Sequence, residues 1–296
     1  MILQVMKRLA ISDGDWKAPR SGLPSGRDMQ RYLIAAMVAA LPCLVAAIYY
    51  FGVRIVEMIA VAFLAVAAVE IAFGCVRKRP VGGGALVFAV LLVLILPPEI
   101  PLWMVAAGAA FGAFFGKEVF GGTGHHVFSP VLIAKGFLMF SYPQVVKGSY
   151  FGSMLNFDHP NAWIICAAVT LHALIAMIII RPTNGLTLAG IFLAAGCIGW
   201  ALGAAERLEL DLPIQIFIAD GFLFSACFLA CDPSCCPSTI LGKLIYGVLI
   251  GSIAVLMRCF SNYSEAMMSA ILIGNLFTPI INIITQTNGE LTREKE

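Results

Sequence analysis

Ten apolar runs divide this chain, and no other feature constrains its fold so strongly. They cover residues 32–51, 53–76, 84–96, 102–115, 131–142, 162–180, 186–205, 214–230, 244–257 and 266–284. A helix needs about 20 apolar residues to cross the ~30 Å hydrocarbon core of a bilayer. Several runs reach that length, and the shorter ones are read as tilted or broken helices. The 296 residues are 60% hydrophobic and 12% charged, whereas soluble domains carry about 25% charged residues. The sequence therefore predicts an all-α integral membrane protein. Its immediate partner is the lipid bilayer, and no nucleic acid is expected.

Orientation follows from the basic residues, which gather on cytoplasmic loops. With the N-terminus inside, fourteen of the nineteen Lys and Arg residues fall on that side, among them Lys78, Lys117, Lys243 and Lys295. Glu99, Asp158, Glu206, Glu209 and Asp211 fall in the outward loops. Ten crossings with both termini cytoplasmic satisfy this bias. Residues 1–31 contain no apolar core of signal-peptide type, so residues 1–30 read as a cytoplasmic leader. Residues 31–142 form a first membrane repeat, 143–160 an outer loop, 161–285 a second repeat and 286–296 a cytoplasmic tail. The repeats are suggested by weak self-similarity: residues 96–101 answer residues 231–237, and 114–137 answer 255–277. Two five-helix halves, each with a Pro-broken crossing, would be inverted and would meet at a midplane site.

Residues 116–130, Gly-Lys-Glu-Val-Phe-Gly-Gly-Thr-Gly-His-His-Val-Phe-Ser-Pro, form the longest polar, glycine-rich interruption between two short runs. Non-helical backbone at membrane depth survives only when buried in protein or lining a cavity. A tight loop between tilted helices is the plainer reading. Intramembrane charges are the next candidates. Glu70 lies deep in the second run and needs a partner such as Arg77 or a polar cavity. Asp220 is the most central carboxylate, and Lys135 either pairs with it or snorkels. Glu57 sits where the interface would solvate it. Both Glu70 and Asp220 are candidates for an ion pathway.

His125 and His126 have no histidine partner at ligand spacing, so they read as a hydrogen-bonded pair at a helix start. Cys227, Cys231, Cys235 and Cys236 give C-x3-C-x3-C-C, interrupted by Pro233. That spacing matches no usual zinc or iron–sulfur pattern, and these thiols read as small buried side chains. No metal is expected.

The motif Lys117-Glu118-Val119-Phe120-Gly121-Gly122-Thr123-Gly124, with Pro130 after it, resembles the NqrB component of the sodium-translocating NADH:quinone reductases. It resembles the RnfD component of the Rnf electron-transport complexes more distantly. The same register takes in Leu96-Pro97-Pro98-Glu99-Ile100-Pro101, Asp232-Pro233-Ser234, Gly242-Lys243-Leu244-Ile245-Tyr246-Gly247 and Ala270-Ile271-Leu272-Ile273-Gly274-Asn275-Leu276-Phe277. The resemblance implies ten helices in two inverted repeats, flavin carriers, and electron delivery to quinone coupled to sodium or proton movement, in company with other subunits in a bacterial inner membrane. It implies a non-covalent flavin, riboflavin or FMN, near Gly121, Gly122, Gly124, His126, Ser129 and Asp232. His126 and Ser129 stand where such proteins carry two Asn. Gly83 and Asn282 stand where they carry acidic residues. The Ser/Thr-Gly-Ala-Thr motif that accepts covalent FMN is absent, so no covalent FMN threonine is expected. A small-solute transporter on the same scaffold, or an assembly subunit without cofactor, are the competing readings.

Single cysteines placed at residues 78 and 295 of a cysteine-free background should label only from the inside, and those at 147 and 209 only from the outside. Outside labelling at residue 78 would overturn the assigned orientation.

Overall fold

The computed structural model describes residues 26–78, 83–146, 171–172, 174–176, 178–179, 184–204, 221–260 and 266–293. All regular structure among the described residues is helical. Helices α1 (Gly26–Phe51) and α2 (Val53–Arg77) are separated by one residue, Gly52, with φ 63°. A side chain disfavours that φ, and glycine does not. Next come α3 (Ala85–Ile95) and α4 (Leu102–Phe111), the latter running directly into a π-helical segment, Gly112–Glu118. After α5 (Pro130–Ser141) and α6 (Asn184–Ala204), a helical turn Phe222–Phe224 leads into a second π-helical segment, Ser225–Leu229. Helices α7 (Ile240–Phe260) and α8 (Ala266–Arg293) complete the described chain.

Among the described residues, five stretches are long and apolar enough to cross a membrane: Tyr32–Phe51, Val53–Arg77, Asn184–Ala201, Ile240–Phe260 and Ala266–Gln286. Helices α3 and α5 are apolar but shorter, as their runs predict. Most of the run at 162–180, part of that at 214–230, and most of the loop at 143–160 lie outside the described residues, and Asp220 lies there too.

The break between α3 and α4 has a direct cause. Pro97 and Pro98 offer no N–H and push the preceding residue out of helical conformation, and Leu96 is extended at φ −91°, ψ 149°. The carbonyls stranded at the break find basic side chains. Lys135 is fully buried, and its Nζ donates to the Ile95 carbonyl at 2.7 Å. Arg54 donates to the Ile100 carbonyl at 2.7 Å and the Pro98 carbonyl at 3.4 Å. Snorkelling of Lys135 is thus not what occurs, because an interior carbonyl row needs a donor. Glu57 is half-exposed and pairs with Arg54 at 3.4 Å, as its interfacial position suggests.

Two packing groups result. In one, α2 lies on α3 and α4, while α5 packs along α4 and its π-helical continuation; in the other, α7 lies against both α6 and α8. Glycines permit the closest approaches. A Cβ at Gly112 would sit 2.6 Å from both the Pro130 carbonyl oxygen and the Ala134 Cβ. A Cβ at Gly190 of α6 would meet the Leu244 carbonyl oxygen of α7 at 2.8 Å and the Val248 nitrogen at 3.0 Å. Without a hydrophobic drive between helices in lipid, such backbone contacts carry the packing.

The internal similarity falls differently from its sequence reading. Residues 96–101 end α3 and precede α4. Residues 231–237 instead follow a π-helical segment and precede α7, as residues 119–129 follow one and precede α5.

Replacing Gly190 with Leu forces backbone apart on two helices and should destabilise the protein by about 1–3 kcal/mol. At Gly196, where a Cβ meets nothing within 4 Å, alanine should be neutral or slightly stabilising. Thermal unfolding of the purified protein in detergent compares the two; equal midpoints would refute the assigned contact.

Candidate functional site

Both π-helical segments open into irregular loops, residues 119–129 and 230–239, and these loops meet. Wide π turns are enriched at functional sites. Here the i→i−5 bonds are Val119 N–H to the Phe114 carbonyl, Gly122 N–H to the Lys117 carbonyl and Ala230 N–H to the Ser225 carbonyl, each 3.0 Å. The first loop takes positive φ at Gly121 (117°), Gly122 (100°) and Gly124 (91°). A Cβ penalises such a φ, which glycine adopts freely. The N–H groups of Gly121 and Gly122 donate to the Glu118 and Lys117 carbonyls at 3.1 and 3.0 Å.

The second loop is wound around Asp232. Its Oδ1 accepts the Ser234 N–H at 2.9 Å, and its carbonyl accepts the N–H groups of Cys235 and Cys236 at 3.1 and 2.9 Å. Side-chain hydrogen bonds of this kind are how Asp fixes a turn. Each packing group also holds the loop. Tyr32 of α1 donates its hydroxyl to the Cys231 carbonyl at 3.3 Å, and Thr278 of α8 donates to the Cys235 carbonyl at 2.8 Å. Between the loops, His126 Nε2 lies 3.3 Å from Asp232 Oδ2, and the Cys235 thiol lies 4.0 Å from the His126 carbonyl oxygen. Two residues proposed separately from sequence, 106 positions apart, are therefore neighbours.

A narrow cavity of about 60 Å³ opens beside this junction. Its polar wall is Lys117, Thr123, His126, Ser129 and Asp232; its apolar wall includes Val87, Phe88, Leu91 and Leu229. Thr123 Oγ1 and His126 Nδ1 are buried without a hydrogen-bond partner. An unsatisfied buried polar group costs about 1–3 kcal/mol, so these two atoms mark where a polar ligand edge or ordered water would be stabilised. Alongside runs an apolar groove of about 510 Å³ between α1 and the start of α3, lined by Leu33, Ile34, Met37, Val38, Gly83, Leu86 and Val87. Leu33 and Val87 line both spaces.

Buried charge frames the cavity's inner end. Lys117 is not a cytoplasmic loop cation; it is buried and ion-paired with Glu70, which is buried as well. Glu70 thus finds Lys117, not Arg77, whose guanidinium stacks over Phe73 at 5.0 Å. Lys243, also assigned to the cytoplasmic side by the charge count, is 1% exposed. Both lysines sit at the mouth of an apolar run, where a sequence reads interface and the fold supplies interior. His125 is exposed while His126 is buried, so the two do not form a pair. Gly121, Gly122 and Gly124 shape the first loop, Ser129 ends it, and Asn282 accepts the Ser238 N–H at 3.0 Å. Thr123 and Lys117 were missed as site residues: a lone threonine among glycines carries no signal, and a lysine's partner is invisible in one dimension.

An unpartnered polar edge and flanking apolar walls suit the chemistry of a fused heterocycle such as a flavin. The cavity's volume of about 60 Å³ holds only an edge of one.

Relatives bear on this arrangement. The chain is 32% identical to the NqrB component of the Na(+)-translocating NADH-quinone reductase of Ectopseudomonas mendocina (strain ymp) over 269 residues, covering 77% of this chain and 66% of that protein. It is 29% identical over 318 residues to its counterpart from Azotobacter vinelandii (strain DJ / ATCC BAA-1303), covering 95% and 76%. For the counterpart from Pseudomonas aeruginosa (strain LESB58) the identity is 32% over 257 residues, covering 74% and 64%. The chain spans about two thirds of the length of most of these relatives. Residues 20–158 and 146–289 each match the NQR2, RnfD, RnfE family, and the chain belongs to it.

Proposed function

We propose that this chain is a membrane subunit of an ion-coupled electron-transport complex of the NADH-quinone reductase or Rnf type, and that it holds a non-covalent flavin at the junction of residues 116–130 with residues 230–239. Electrons would pass through that flavin toward quinone or another carrier. Other subunits would supply the electron donor's site, since no Rossmann-type strand–glycine–helix unit occurs among the described residues. The fuller topology belongs to the same reading: about ten helices in two inverted repeats, both termini cytoplasmic, in a bacterial inner membrane. The observation that carries the site is the pair of unpartnered polar atoms, Thr123 Oγ1 and His126 Nδ1, on residues that line a cavity with apolar walls. When bound, a flavin supplies reversible electron acceptance. Thr123 and His126 would hold the polar edge of its ring, Leu91 and Phe88 would exclude water, and the positive-φ glycines would keep the loop close.

Gly124→Val should abolish bound flavin while leaving insertion intact, because φ 91° is strained for any residue with a Cβ. His126→Asn should retain flavin, since an amide side chain can still donate one hydrogen bond to the polar edge of the ring. Visible absorption of the purified protein reads both. Full flavin occupancy in Gly124→Val, or no flavin in the unmodified protein purified with its partners, would sink the assignment.

Ion coupling would use the Glu70–Lys117 pair behind the cavity, the one ion pair between fully buried side chains among the described residues. Glu70 Oε2 has no partner, which leaves one carboxylate oxygen to take a cation or proton. Breaking a buried pair from one side costs about 3–5 kcal/mol. Lys117→Met alone should therefore destabilise strongly, and Glu70→Gln with Lys117→Met should recover most of the stability while losing ion transport. Unchanged ion transport by the double variant in proteoliposomes would exclude the pair from the path.

A further inference from the structure

We propose that His126, Asp232 and Cys235 bind one divalent transition-metal ion of the zinc class, which fastens the two loops together at the cavity wall. The three residues each offer one donor atom, and the three atoms lie within 4.8 Å of one another. Neither the paired histidines nor the four-cysteine pattern shows this in sequence, because the ligands come one from the first loop and two from the second. Zinc bonds of about 2.0–2.2 Å to nitrogen and oxygen and 2.3 Å to sulfur set tetrahedral edges of about 3.3–3.7 Å. The 3.3 Å between His126 Nε2 and Asp232 Oδ2 is already such an edge, and it is slack for a charge-assisted hydrogen bond, which prefers about 2.7–2.9 Å. The thiol has to approach by about an ångström.

Three further observations fit a metal. The donor set is mixed nitrogen, oxygen and sulfur, which suits zinc and cobalt over magnesium or calcium. One thiolate, one carboxylate and one neutral imidazole offset a divalent charge fully, so the loaded site carries no net charge where charge is costly. The outer contacts are also in place: the Ser234 N–H holds Asp232 Oδ1 at 2.9 Å, as ligating carboxylates are usually held. Loading releases the Cys235 thiol proton to solvent as the metal–sulfur bond forms. With the metal on Nε2, the ring proton resides on Nδ1, the nitrogen that has no partner. The cavity lined by His126 and Asp232 gives the ion an entry path and leaves its fourth position to water.

The test uses full-length protein with a non-histidine tag, purified in detergent, stripped with a chelator and titrated with Co²⁺ under reducing conditions. One Co²⁺ per chain should saturate, with the near-ultraviolet thiolate charge-transfer band and the visible bands of a four-coordinate ion. Cys235→Ser should remove the thiolate band, and Cys236→Ser should leave it. Asp232→Asn and His126→Gln should weaken binding by more than the ~10–100-fold typical of an outer-sphere partner. Absence of saturable binding overturns the proposal, as does a thiolate band that persists in Cys235→Ser. Because any of these variants can misfold, X-ray absorption on the unmodified zinc-loaded protein decides independently: one sulfur among nitrogen and oxygen neighbours supports the site, and a shell without sulfur refutes it. Neither readout involves flavin, so failure here is separable from failure of the flavin reading.

Discussion

Every interruption of a helix inside this protein releases backbone groups that lipid cannot satisfy, and the fold is arranged around supplying them. An unpaired peptide group in hydrocarbon costs several kcal/mol, more than any one side-chain contact returns. At the α3–α4 break, Lys135 and Arg54 meet the carbonyls of Ile95, Pro98 and Ile100. At the second loop, Tyr32 and Thr278 meet the carbonyls of Cys231 and Cys235. Where such a donor belongs to another helix, the break also becomes a tether. Thr278 ties α8 to the second loop, and Tyr32 ties α1 to the same loop. Polar residues that look out of place in an apolar chain are thus the parts that allow irregular backbone at depth.

How much of this a sequence can show depends on the range of the cause. Helix existence rests on local apolar length, and the runs at 53–76 and 84–96 came within a residue or two of α2 (Val53–Arg77) and α3 (Ala85–Ile95). The glycine-rich break at 116–130 was legible for the same reason, since it interrupts two apolar runs in the sequence itself. Lys117 was not legible. Charge counting places any lysine beside an apolar run at the membrane surface, and only the fold brings Glu70, 47 positions away, close enough to hold it inside. The π-helical segments left no trace either, because one extra residue per turn alters neither composition nor periodicity over so short a span. His126 and Asp232 were named from motif resemblance, each for its own loop; that they touch is information only packing contains.

That contact explains why the two loops read so differently and yet work as one surface. The first contributes conformational freedom: three positive-φ glycines, internal N–H bonds and a single buried imidazole. The second contributes rigidity: an Asp232 carboxylate held by the Ser234 N–H, an Asp232 carbonyl held by the Cys235 and Cys236 N–H groups, and prolines at 233 and 237. A ligand resting on the junction therefore has one wall that adapts and one that does not. Tyr32 bonds from α1 to the second loop, and His126 and Cys235 bond between the two loops, beside a hydrophobic core that includes residues of both packing groups. Any change of charge or occupancy at His126 acts on that link directly. In the proposed function, a site placed there would sense the relative position of both packing groups, and coupling an electron carrier to ion movement requires such a differential interaction with two arrangements of the same helices.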